Sequence, residues 1–198
     1  MFTRLKNKIE GDGQEDPLKW LCIFHNGKVT EEHETWGTKI VCKDTFMDID
    51  PKELSNVVRE AWEHHDGIVH AEYLGDKSLV KVVLNKRNGI DFCDIDSGYV
   101  DLLIGAEFEG DWDKLAEVKE KVYKYVSDAV EEYKGLGGIN IYGNCPLEGV
   151  CFVQIIASMP IKYFESFGKF LGTVKKAAEE AFDRAIGRKK YRFLEFKV

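Results

Sequence analysis

No apolar stretch in the 198-residue chain reaches the roughly 20 residues that a membrane-spanning helix needs. The first residues, Met1 to Asp16, are polar and charged and have no apolar core of the kind a secretion signal carries. These two absences lead to the expectation of a cytoplasmic protein with no membrane partner. Basic residues are also short. Lys and Arg number 28 against 35 Asp and Glu, for a net charge of −7. General binding to a nucleic-acid backbone is therefore not expected, because phosphates are held by Lys and Arg. Glutamine is scarce, with only Gln14 and Gln154, while Lys and Glu are abundant, a bias found in heat-adapted proteins. The familiar catalytic signatures are missing as well. There is no Gly-x-Ser-x-Gly elbow. Gly135-Leu136-Gly137-Gly138 follows a helix and precedes a strand, the reverse of a phosphate loop, which feeds a helix N-terminus.

What is present is a core. Apolar residues make up 44% and charged residues 32%, so the chain can fold without disulfides or metal. Its densest part is Val150–Met159, a strand-like run ended by Pro160. A helical stripe follows on Phe164, Phe167, Phe170, Leu171, Val174, Ala178, Ala181, Phe182 and Ala185. Being apolar at nearly every position, Val150–Met159 is expected at the sheet centre with both faces covered.

Read in order, residues 1–17 form a flexible arm and 18–198 one α+β domain, with 18–95 and 99–198 as two pseudo-repeats. Lys19–His25 reads as a strand, with Asn26-Gly27 as its hairpin turn and Lys28–Thr35 as the return. Thr38–Met47 is a further strand. Asp50-Pro51-Lys52-Glu53 caps and opens a helix with Leu54, Val57, Val58, Ala61 and Trp62 on one face. Strands are expected at Ile68–Leu74, Ser78–Leu84, Ile90–Ile95 and Tyr99–Glu109, with gaps short enough for an antiparallel meander. Asp111 caps a second helix, ended near Gly135. Ile139–Tyr142, Val150–Met159 and Tyr191–Val198 are the closing strands, around a third helix at 162–186. The fold expected is a largely antiparallel sheet packed by three helices.

From Tyr99 the order strand, helix, strand, strand, helix, strand resembles the ferredoxin-like fold, in which two helices cover one face of a four-stranded sheet. Counting from the helix after Asp50, the order helix, several strands, helix, two strands, helix resembles the type III secretion chaperone-like fold of small dimeric partner-binding proteins. Either resemblance implies an architecture and no functional residues.

Candidate sites are few. His64 and His65 end the first of the three helices and His70 lies on the next strand, near enough for a metal site. Histidines in a last helical turn also suit the helix dipole, which is the ordinary reading. Asp91, Asp94 and Asp96, with Asp101 beyond, alternate along a strand and offer oxygen ligands to a divalent cation. Asp96-Ser97-Gly98 is equally common turn chemistry. Arg184, Arg188, Lys189, Lys190 and Arg192 form a basic patch for an anion or nucleotide, or else a helix end and a guarded strand. The five cysteines, Cys22, Cys42, Cys93, Cys145 and Cys151, read as reduced core thiols, although Cys145 and Cys151 flank a turn and could pair or bind metal. The function expected is a non-enzymatic binding or regulatory protein that self-associates and meets a partner protein or small ligand. Its basis is aromatics near element ends, such as Trp20, Trp36, Trp112 and Tyr163. The alternatives are a metal-dependent enzyme, using Asp91, Asp94 and Asp96 or the histidines with a divalent metal, and anion or nucleotide binding at the basic patch.

Overall fold

The computed structural model describes residues 16–43, 50–65, 67–75, 77–86 and 98–194. Their order is α1 (Pro17–Phe24), β1 (Lys28–Glu34), β2 (Gly37–Lys43), α2 (Pro51–His64), β3 (Gly67–Leu74), β4 (Ser78–Lys86), β5 (Gly98–Glu109), α3 (Trp112–Ala129), β6 (Gly138–Leu147), β7 (Val150–Pro160), α4 (Phe164–Phe182) and β8 (Tyr191–Phe193). A 3-10 turn, Glu131–Tyr133, follows α3, and a π-helical turn, Asp183–Gly187, extends α4. The strands form one eight-stranded sheet in the order β1-β2-β3-β4-β5-β7-β6, with β8 also paired to β5. Every pairing is antiparallel except β2 with β3, which are parallel and joined through α2. The architecture is therefore α+β: a mixed, mostly antiparallel sheet with four helices among the described residues. The expected strand Ile90–Ile95, the arm before Asp16 and Cys93 lie outside the described residues.

Three helices were expected and a fourth, α1, is found. Asp16-Pro17 begins it just as Asp50-Pro51 begins α2. The Asp16 carboxylate accepts from the Leu18 N–H at 2.8 Å, and Asp50 accepts from the Lys52 N–H at 2.7 Å. In both helices proline takes the first position, where a missing N–H loses no bond. Leu18, Leu21 and Cys22, at helical spacing, are the buried face of α1, so Lys19–His25 is not a strand. Asn26-Gly27 ends this helix in place of turning a hairpin: Asn26 has φ 61°, and the Gly27 N–H donates to the Cys22 carbonyl at 2.8 Å. The hairpin is one strand later, between β1 and β2 around Thr35-Trp36.

The cysteines also differ from expectation. Cys22 is bonded to Cys42, and Cys145 to Cys151. The first disulfide ties α1 to β2 and lies wholly within the core. A side chain at Gly27 would meet both of its sulfurs at 2.5 Å, so only glycine lets the chain pass over the bridge. The second closes the β6–β7 hairpin.

All the helices pack on one sheet face. Strand alternation places Ile40, Cys42, Val69, Ala71, Tyr73, Val80, Val82, Val100, Leu102, Val153, Ile155 and Met159 there, all buried. Against them lie Leu18 and Cys22 of α1, Leu54, Val57, Val58 and Ala61 of α2, Leu115, Val118, Val122 and Val126 of α3, and Phe167, Phe170, Val174 and Phe182 of α4. Each fully buried side chain of this size stabilises the fold by about 1.5–3 kcal/mol. The stripes expected on α2, α3 and α4 are those that are buried.

Strand β7 departs from the expectation of two covered faces. Cys151, Val153, Ile155, Ala157 and Met159 are buried, while the residues between them are half-buried. β7 lies between β5 and β6, one place from the sheet edge. The N-terminal strands lengthen the same sheet and form no second layer over it.

Candidate functional site

The helix-free face is built by the other half of each alternation. It carries Ile68, Leu74, Val83, Leu103, Phe152 and Ile156, all half-buried, with Val41 and Leu79 buried among them. Through this apolar surface runs a charged row. Register sets Val41 beside Glu72, Glu72 beside Lys81, Lys81 beside Asp101, and Asp101 beside Ser158, across β2, β3, β4, β5 and β7. Directly opposed side chains on one face are in contact range, so this register dictates the pairing of charges.

Glu72 is the hub. It is 3% exposed, with His70 Nε2 3.1 Å and Lys81 Nζ 3.3 Å from one oxygen and Lys39 Nζ 3.6 Å from the other. His70 lies two residues back on the same face, and Lys39 is the cross-strand partner of His70. A buried carboxylate persists only when paired in this way. The contact with His70, then the charges of Lys81 and Lys39, hold the Glu72 carboxyl down at about 2 against the opposing effect of burial. Asp101 behaves in the opposite manner. Burial pushes its carboxyl above the ordinary value, against the lowering pulls of the Ser158 hydroxyl, Lys81 and His70. The ring of Trp36, from the β1–β2 turn, lies 6.1 Å from that of His70.

Lys39 and Lys81 balance Glu72 and Asp101, so the row is neutral when His70 is uncharged. Its acceptors are not used up. Glu72 Oε2 and Asp101 Oδ1 are buried with no hydrogen bond among the described residues. His70 Nε2 is close to Glu72 but not aligned on it as a hydrogen bond. Both oxygens are shielded from solvent, so the row is an internal charge network set among apolar neighbours.

The residues singled out from the sequence fall elsewhere or apart. His64, at the end of α2, is exposed. His65 Nε2 lies 2.8 Å from Asp16, joining the end of α2 to the cap of α1 on the helix side, while His70 is on the other face. The three do not converge. Among the described residues no group of three or more His, Cys, Asp or Glu is placed to hold a metal ion. Asp91, Asp94 and Asp96 lie outside the described residues. In the basic patch, Arg184 stacks on Tyr125 at 4.6 Å and Arg192 pairs with Glu107 at 2.8 Å. Arg188, Lys189 and Lys190 form the exposed turn into β8, where Lys189 has φ 65°. Lys39, Glu72, Lys81 and Ser158 were not expected as a site. Their signal was a lone charge inside each of two apolar strands, Ala71-Glu72-Tyr73 and Val80-Lys81-Val82, which only register could join. Of the four aromatics near element ends, Trp36 and Trp112 are exposed, whereas Trp20 and Tyr163 are half-buried.

No family model, no curated protein and no solved structure matches the chain. Among the described residues no helix is long and apolar enough to cross a membrane.

Proposed function

We propose that the chain is a non-enzymatic binding or regulatory protein that associates with a second copy of itself through the helix-free face. The observation that carries this reading is the half-buried apolar surface of Ile68, Leu103, Phe152 and Ile156 on a sheet face that no described helix covers. The charged row beside it pairs internally, so it does not oppose a twofold contact between copies. Phe152, Leu103 and Ile156 supply the apolar centre such an interface needs.

The finer fold belongs to the same proposal. The neighbours β8-β5-β7-β6, with α3 and α4 on one face, support a ferredoxin-like unit over residues 98–193. The order α2, β3–β5, α3, β6–β7, α4 supports the chaperone-like reading, and it is the one that agrees with a dimer. For location, the two disulfides weigh against the reducing cytoplasm. Among the described residues no observation favours the metal-dependent or anion-binding alternatives over this reading.

Sedimentation equilibrium tests it. The native chain is expected to be a dimer, and Ile156→Asp a monomer with unchanged circular dichroism. A native chain that stays monomeric across the concentration range would sink the proposal.

A further inference from the structure

The two disulfides are unequally placed. Cys22 and Cys42 are both fully buried, between helix α1 and strand β2. The Cys145–Cys151 bridge joins a half-buried cysteine on the edge strand β6 to a fully buried one on β7. The ladder shifts register between Asn144 and Leu147, so Cys145 and Pro146 stand out of the β6–β7 pairing. Cys145 donates its N–H to its neighbour's side chain, Asn144 Oδ1, at 2.9 Å. On the buried side, Cys151 Sγ lies 3.4 Å from the Asp111 carbonyl oxygen at the start of α3. The same end of the sheet carries two of the most exposed large apolar side chains described: Trp112, 62% exposed on the first residue of α3, and Leu147, 68% exposed beside the hairpin turn. Gly110 N–H donates to Gly149 O at 3.1 Å, which fastens the start of α3 to that turn.

We infer that Cys145–Cys151 is a thiol–disulfide exchange site, with Cys145 the sulfur attacked and Cys151 the buried leaving group. An incoming thiolate attacks Cys145 Sγ, and a new sulfur–sulfur bond forms as the Cys145–Cys151 bond breaks. The electron pair leaves on Cys151 Sγ, and the proton that the attacking thiol lost on ionising balances it, giving a Cys151 thiol 3.4 Å from the Asp111 carbonyl oxygen. A second thiolate then attacks the mixed disulfide and releases Cys145 as a thiolate. Two thiols are oxidised to one disulfide, and the protein disulfide gains the two electrons. The reverse sequence passes an oxidising equivalent to a dithiol. The rate of exchange depends on which sulfur is attacked and on access to it, and the two sulfurs of this bridge differ in access. Trp112 and Leu147 offer the incoming group an apolar seat, as a cysteine-containing polypeptide would need. A small thiol such as glutathione would have no use for it.

Glutathione buffers, acid quenching, alkylation and peptide mapping by mass spectrometry test this on the folded chain. Mapping also separates the signal of Cys93. The Cys145–Cys151 bridge is expected to open at least about tenfold faster than Cys22–Cys42. Cys151→Ser should accumulate a glutathione adduct on Cys145, while Cys145→Ser leaves Cys151 unmodified. Should either variant fail to fold, the native opening rates decide alone. A single-cysteine unfolded peptide forms the second arm. If it reacts faster than glutathione and Trp112→Ala slows only the peptide, the substrate is a protein thiol; equal rates, unmoved by Trp112→Ala, assign a small thiol. Simultaneous opening of both bridges, opening only on unfolding, or an adduct found on Cys151 would overturn the assignment.

Discussion

The two faces of the sheet are made by the same strands and the same alternation, yet they are differently built. On the helix side the inward strand positions from Ile40 to Met159 are apolar but for the buried Ser78, and four helices close over them. On the other side most apolar positions are only half-buried, Val41 and Leu79 excepted, and charges that would be intolerable under a helix form a balanced row. The first face is a completed core, held by area. The second is held by register, since Glu72 is tolerated only because Lys39, His70 and Lys81 are set around it.

The sharpest way to break this contrast is a pair of truncations. Phe167→Ala, on the helix side, should destabilise by about 3–5 kcal/mol in denaturant unfolding. Phe152→Ala, on the other, measured at concentrations where the chain is monomeric, should lower stability by less than half of that, and an equal loss there would mean that its face is as closed as the core. Next in size is the row itself. With its folded pKa held at about 2 against 4.5 unfolded, Glu72 contributes stability that is complete above about pH 4.5 and is lost as pH falls through about 2. The shift corresponds to about 3 kcal/mol. Acid titration of the native chain against Glu72→Gln should show this pH dependence only in the native chain.

Removing the buried bridge with Cys22→Ser and Cys42→Ser should lower stability by about 3 kcal/mol. Removing Cys145–Cys151, which closes a shorter loop, should lower it by about 2 kcal/mol, and thermal unfolding of the two double variants ranks them. The smallest effect is that of Asp101→Asn. Because folding raises the Asp101 pKa, the protonated form is favoured and stability rises as pH falls through its folded value. The amide should therefore raise the melting temperature slightly at neutral pH, whereas a fall would show that the charge is needed.

Much of the helix side was legible in the sequence. The stripes of α2, α3 and α4 are sustained over several turns, and period alone identifies them. Helix α1 was misread because it is two turns long. Its apolar run Trp20-Leu21-Cys22-Ile23-Phe24 mimics a strand, and the Asn26-Gly27 beside it suits a hairpin and a helix end equally. The Asp-Pro signature was there to be read, as it was at Asp50. The charged row was not legible for a different reason. Glu72, Lys81, Asp101 and Ser158 lie far apart in the chain, and their meeting depends on pairings that no local pattern fixes. The cysteines show the same limit: Cys22 and Cys42 are brought together by α1 packing on β2, which the misread helix concealed.

Strand β5 pairs over Tyr99–Glu109 with β7 on one side, and on the other with β4 over Gly98–Ile104 and with β8 over Ala106–Phe108. Both halves of the chain thus draw hydrogen bonds from one twelve-residue segment. Neither half can fray without exposing the backbone of the other. The amides of Leu102 to Ala106 should therefore be the last to exchange with deuterium, and only through global unfolding.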